Sequence, residues 1–230
     1  MTVARRTQIA LHRARYASMI PFATPRLFAR LFESAFYRRA HEAWLDTLAP
    51  AFGAKVVEVG CGPGSFAAMM AARGLLVHGI DRSPAMIERA REHVGHPKAR
   101  PRFSVGDAEA LPLQPGWADL TVASSLLNVV ADPKRVMLEM ARITRPGGTL
   151  AVLLPGPGLL PRAAAAFGER QALEPADAAL LELWARSARG VSNERARGWF
   201  EDLGLRDVTQ HDLLDGMLHT TAGRTAQSLP

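Results

Sequence analysis

The stretch "VVEVGCGPGSFAAMM", Val56 to Met70, sets Gly60, Gly62 and Gly64 between an apolar run and an alanine-rich one. Glycines at a strand-to-helix turn let the backbone approach a ligand closely, and the first turn of the helix presents free N–H groups to an anion. The chemistry they can do is to hold a nucleotide-like ligand. Gly62 to Ala67 also fits the dinucleotide pattern G-x-G-x-x-A, and Asp81 follows Gly62 by 19 residues, near the spacing of a ribose-binding acid. Charge separates the readings. Glu58, at the tip of the same strand, would repel a pyrophosphate in a partly desolvated cleft. S-adenosylmethionine has no phosphate; its sulfonium and ammonium suit Glu58, and its one carboxylate suits the helix N-terminus.

Such a loop needs a strand before it and a helix after it. Apolar runs at 54–60, 75–81, 101–107, 118–125 and 148–155 predict buried strands. Helical stretches at 64–73, 84–94, 109–111 (short) and 133–144 separate them. Alternating strands and helices imply a parallel sheet with right-handed crossovers and ligands at the carboxyl ends of the strands. Glu58 to Gly64, Asp81, Asp107 and Ser124 to Asn128 then share one rim. "PGPGLLPR" (155–162) is expected to be a non-helical loop, 163–190 one or two helices, and the remainder a helix, a strand, a tight turn at Asp215-Gly216 and a strand. Before the sheet, Thr24 and Pro25 predict an N-cap and first helical residue. From there Phe28, Leu31, Phe32, Ala35, Phe36, Ala40, Trp44 and Leu48 recur as one helical stripe. The expected fold is α/β: a Rossmann-like, mostly parallel seven-stranded sheet with an antiparallel C-terminal hairpin. Residues 1–50 form a helical N-terminal extension or lid, and 51–230 the ligand-binding domain, with a helical lid insertion at about 156–194.

Beyond the loop, the chain resembles the class I S-adenosylmethionine-dependent methyltransferases, within them the small-molecule group that includes quinone methyltransferases. The resemblance covers 50–155 strongly and 195–224 by pattern. "VVEVGCGPG" resembles the first family motif and "GIDRSPAMIERARE" the second. This implies Asp81 on the ribose hydroxyls and Met86 against the adenine. "GDAEALPL" resembles the segment whose acid, here Asp107, accepts a hydrogen bond from the adenine amino group; "ADLTVASSLLNVV" and "ARITRPGG" resemble the fourth strand and the turn into the fifth. Cys61 lends a backbone contact. Arg82, Ala108 and Ser124, beside these positions, complete the implied cofactor set of Glu58, Gly60, Cys61, Gly62, Gly64, Asp81, Met86 and Asp107. The product would be S-adenosylhomocysteine, and no metal is expected: Cys61 is the lone cysteine and no His, Asp and Glu cluster has ligand spacing.

No catalytic signature stands out. His41, His211 and His219 are the candidate general bases; His78 reads as structural, and His93 and His96 as a polar helix end. In-line transfer to an ionised or weakly acidic nucleophile can proceed by positioning alone. The acceptor is less constrained. An Asn-Pro-Pro-Tyr-like stretch, a Pro-Cys pair and a paired-glutamate loop, which mark amino-purine, pyrimidine and arginine methylation, are absent. Tyr16, Phe36, Tyr37, Trp44, Asn128, Phe167 and Trp184 are candidates for contact with a small, apolar or aromatic acceptor. The leading expectation is methylation of O, N or C of a small hydrophobic metabolite.

Residues 1–39 hold eight arginines against one acid, Glu33, in a chain of net charge +6. They are either a solvated helix face or a partner surface. Two alternatives follow from the second reading: quinone or phospholipid methylation at an anionic membrane surface, and RNA methylation, with nucleic acid the less favoured partner. A cofactor-binding protein without catalysis is a further alternative. No secretory signal or membrane span is read from the sequence, so the expected location is cytoplasmic, with membrane-peripheral placement as the variant.

Overall fold

A computed structural model of the chain describes residues 2–19, 24–93 and 101–226. Five strands, β1 (Lys55–Val59), β2 (Leu76–Asp81), β3 (Arg102–Val105), β4 (Ala118–Ser124) and β5 (Thr144–Pro155), run parallel. β6 (Arg206–Leu213) and β7 (Leu218–Arg224) form a hairpin whose second strand lies antiparallel to β5. The sheet order is β3-β2-β1-β4-β5-β7-β6, so the strand order reverses between β1 and β4. Ligand crevices open at such a reversal.

The two faces of the sheet bury different elements. Along a strand, side chains alternate between faces. Val57, Val59, Ala123 and Val152 meet α6 (Pro133–Ile143) and α9 (Asn193–Asp202) through Val136, Met140 and Phe200. Val56, Leu120, Val122 and Leu153 belong to the opposite core, with Phe66 and Met70 of α4 (Ser65–Ala72) and Trp44 of α3 (Ala35–Leu48). Glu58 and Ser124 share the parity of Val56 and Val122, so they turn toward α3 and α4.

α1 (Val3–Met19) packs on α8 (Pro175–Ser187), beside α7 (Pro161–Arg170). Arg13 Nη1 pairs with Glu182 at 2.8 Å, and Arg5 donates to the Leu173 carbonyl. Two of the basic N-terminal side chains are therefore used inside the fold.

Several expectations need correction. The stripe expected after Thr24 is two helices: α2 (Thr24–Glu33) ends before Ser34, whose Oγ donates to the Leu31 carbonyl, and the Ala35 N–H donates to Asp177 Oδ2 of α8 at 3.0 Å. No helix forms at 109–111. Asp107 bridges Ala110, its Oδ1 takes the Glu109 N–H, and Pro112 follows. The loop expected over 155–162 already turns helical at Pro161, where a missing N–H costs nothing at a first helical position. β5 starts at Thr144, four residues earlier than its apolar run. α5 (Pro84–His93) agrees with its expected span to within a residue. The side chains of Thr24, Pro25, Phe28 and His93, and all of His96, lie outside the described residues.

Candidate functional site

A cavity of about 500 Å3 opens at the carboxyl ends of β1, β2 and β4. Gly60 and Gly62 form its floor on the β1 side; Asp81, Arg82, Ser83 and Met86 line it from the end of β2 and the start of α5. Ser124, Ser125, Leu126, Asn128 and Val129 come from the exit of β4, and Trp184, Ser187, Ala188 and Arg189 from the end of α8. Leu31 and Phe32 of α2 form the remaining wall, which an ion pair between Glu33 and Arg89 ties to α5 at 2.8 Å.

Asp81 organises the loop. Its Oδ2 accepts the Gly62 N–H at 2.9 Å and its Oδ1 the Ser83 N–H at 2.9 Å, joining the glycine turn to the start of α5. Each oxygen keeps a further lone pair. Glu58 lies under the same turn, 3% exposed, and its Oε2 has no hydrogen-bond partner. Burial pushes its carboxyl well above the usual value; the Ala67 N–H opposes the shift and the Asp81 charge adds to it. A buried, unpartnered carboxyl oxygen is costly unless a donor or cation reaches it.

Behind the β4 wall lies a polar cluster. Tyr37 Oη sits 3.0 Å from Ser124 Oγ and 2.7 Å from Ser125 Oγ, and His41 Nε2 lies 2.8 Å from Ser124 Oγ. Burial drives the Tyr37 hydroxyl up to about 12, against its two serine hydrogen bonds and with help from the Glu58 charge. Burial alone takes His41 down to about 3. The His41 ring stacks on Phe66 at 4.2 Å, and Tyr37 meets Trp184 edge-on at 5.4 Å. The cluster thus fixes the two serines and supports the tryptophan. Tyr37→Phe is expected to cost about 1–2 kcal/mol, because both serines lose a partner in a dry site; urea unfolding will measure it.

The residues anticipated from sequence divide into three sets. Gly60, Gly62, Asp81, Arg82, Met86, Ser124, Asn128 and Trp184 line the cavity. Glu58, Cys61, Gly64 and Tyr37 lie directly behind its wall. Cys61 is buried, and burial raises its thiol, with Glu58 and Asp81 adding to the shift, so it stands as a neutral packing residue. The third set is elsewhere. Asp107 is exposed and caps the Glu109 N–H, and Ala108 packs against the α6 side of the sheet. Tyr16, Phe36, Trp44 and Phe167 are core residues. Of the histidines, His211 is exposed on β6, and His219 donates from Nε2 to the Val191 carbonyl at 2.8 Å with Nδ1 unpartnered. His41 misses the main cavity but lines a second one of about 350 Å3, together with Phe32 and with Ser65, whose buried Oγ is unpartnered. Sequence reasoning placed Ser125 and Leu126 on the rim without a role, and missed Ser83, Ser187 and Arg189 as lining residues. Nothing in their types or spacing marks them.

Among the described residues no group of three or more His, Cys, Asp or Glu side chains can hold a metal ion, and no helix is long and apolar enough to cross a membrane.

Residues 57–152 match a family model described as a methyltransferase domain. The chain is 38% identical over 106 residues to a ubiquinone biosynthesis O-methyltransferase of Thiobacillus denitrificans, covering 46% of each chain. It is 37% identical over 134 residues to a trans-aconitate 2-methyltransferase of Paracidovorax citrulli, covering 57% of this chain and 49% of that one. The alignments thus span about half the length of these curated relatives. Among solved structures, phosphoethanolamine N-methyltransferase 2 of Haemonchus contortus, in complex with S-adenosyl-L-methionine, superposes with a TM-score of 0.67 at 18% identity, over 92% of this chain and 60% of that one.

Proposed function

We propose that the chain, whose residues 57–152 match the methyltransferase-domain model, is a class I S-adenosylmethionine-dependent methyltransferase, and that it methylates O, N or C of a small hydrophobic metabolite by direct in-line transfer. One observation carries the reading: a single cavity joins the glycine turn and the Asp81 carboxylate to an apolar wall of Leu31, Phe32, Leu126 and Trp184.

The residues present fit the cofactor. The unpartnered Glu58 oxygen suits a cationic ligand, the free lone pairs of Asp81 suit ribose hydroxyls, and Met86 gives an apolar face for a flat base. S-adenosylmethionine supplies, when bound, a methyl group on a positively charged sulfur. What the protein adds is orientation and dryness. Holding two reactants in line is worth about 7–11 kcal/mol of the barrier, and Phe32 and Trp184 exclude water from the acceptor side. No strong base faces the cavity: Tyr37 keeps its proton up to about 12, and His41, uncharged down to about 3, stands behind Ser124. The acceptor therefore arrives ionised, or gives its proton to water. Ser124 and Asn128 orient it.

The arginines of the first helix lend some support to a membrane or RNA partner, but Arg5 and Arg13 bind within the fold. A cavity walled by Leu31, Phe32, Leu126 and Trp184 supports a small guest more directly. Labelled methyl transfer into fractionated cell extract, with mass identification of the product, tests the proposal; label confined to RNA or to phospholipid would reject it.

Asp81→Ala removes the acceptor of two backbone N–H groups and the ribose partner together. S-adenosylhomocysteine affinity is expected to fall by about 10–100-fold, read by calorimetry, with a lower melting temperature in the ligand-free protein.

A further inference from the structure

We propose that the methyl acceptor is an anion, and that Arg189 binds its carboxylate or phosphate at the cavity mouth. The inference rests on the methyltransferase reading and names the acceptor class within it. Asp81, Arg82, Ser83 and Met86 stand on the β2 side, where the cofactor is assigned. On the remaining wall, from β4, α2 and α8, Arg189 is the one formally charged lining residue among those described.

Its guanidinium makes no hydrogen bond or ion pair with any described residue, yet its main chain is fixed on both sides. The Ala188 N–H donates to the Trp184 carbonyl at 2.8 Å, and the Val191 N–H to the Pro155 carbonyl at 2.8 Å. Gly190 fits so closely against β5's exit that a Cβ there would stand 2.8 Å from the Gly156 carbonyl oxygen. His219 then holds the Val191 carbonyl from below. Arg189 is exposed at the mouth, so a guest that brings a counter-charge there gains a charge-assisted contact that a neutral guest of the same shape does not.

Asn128 adds an independent demand. It is 8% exposed, lines the same cavity, and its Oδ1 has no partner. That oxygen calls for a hydroxyl or N–H on the guest. The complementary molecule has an apolar body against Phe32 and Trp184, a donor group toward Asn128 and an oxyanion toward Arg189, whose planar fork matches carboxylate and phosphate alike.

The test uses the full chain and three probes: 3-(4-hydroxyphenyl)propionate, its primary amide, and phenyl phosphate. Each is titrated by calorimetry with saturating S-adenosylhomocysteine and again without it. The propionate or the phosphate is expected to bind at least about tenfold tighter than the amide, and Arg189→Gln is expected to erase that gap. The order of the two anions tells carboxylate from phosphate. Binding of both anions no tighter than the amide, binding of none of the three, or a gap that survives Arg189→Gln and falls only with Arg82→Gln would overturn the proposal. Failure of S-adenosylhomocysteine itself to bind would instead sink the methyltransferase reading, and the titrations without it still report the anion preference.

Discussion

Glu58→Gln is expected to weaken S-adenosylmethionine binding by about 10–100-fold, the loss of one charge-assisted contact in a dry site, and to raise the melting temperature of the ligand-free protein. The two effects share one cause. The folded protein holds the Glu58 carboxyl well above its ordinary 4.5, chiefly through burial. Because the folded value lies above the unfolded one, the stability this residue allows is fully present below the unfolded pKa and is lost as pH rises through the folded pKa. Glutamine has no charge to bury, so the variant escapes that loss. Binding runs in the opposite sense. A cationic ligand favours the ionised carboxylate, so cofactor binding expels a proton, and affinity climbs with pH until it levels above the ligand-free pKa. Calorimetry across the pH range, in buffers of different ionisation enthalpy, reads both the slope and the released proton. A variant with unchanged affinity and the same pH slope would remove Glu58 from the cofactor site.

What the sequence made legible follows from local rules. Alternating strands and helices put Glu58, Asp81 and Ser124 on one rim, and the parallel register of β1, β2 and β4 places them there in the fold. The seven-stranded sheet and its final hairpin were legible for the same reason, since strand signals and an Asp-Gly turn are local. The cavity's far wall was not. Arg189 reaches it only because Gly190 and Val191 dock on the exit of β5, some 35 residues earlier in the chain, and no periodicity carries that information. The aromatic stripe of α3 misled in a related way. Its period is real, but Trp44 and Phe36 face the core, and the ring from that region that lines the cavity is Phe32, on the other side of the break at Ser34. That break depends on Asp177 of α8 taking the Ala35 N–H, a contact between segments 142 residues apart. His41 illustrates the limit for chemistry. Its type suggested a base, whereas burial against Phe66 leaves it an uncharged support for Ser124.

The glycine turn itself provides a test that separates conformation from close approach. Gly64 has φ +79°, and a Cβ added there would stand 2.8 Å from both Ala90 Cβ and Phe103 Cζ. Gly53 has nearly the same φ, +78°, with nothing within 4 Å. Placing an L-residue in the left-handed region costs roughly 1–2 kcal/mol, and both Gly→Ala variants share that cost. Only Gly64→Ala adds overpacking, about 1–3 kcal/mol, because the Ala90 Cβ is fixed to the backbone of α5 and the Phe103 ring is buried beside it. The melting temperature is expected to drop by roughly 5–15 °C for Gly64→Ala, against a few degrees for Gly53→Ala. α5 also carries Met86 and begins beside Asp81, so displacing it moves the cofactor side of the cavity, and S-adenosylhomocysteine affinity is expected to fall with Gly64→Ala alone. Equal losses of stability in the two variants would mean that the turn does not pack against α5 and β3 as described, and would take with it the rigid floor on which the cofactor assignment stands.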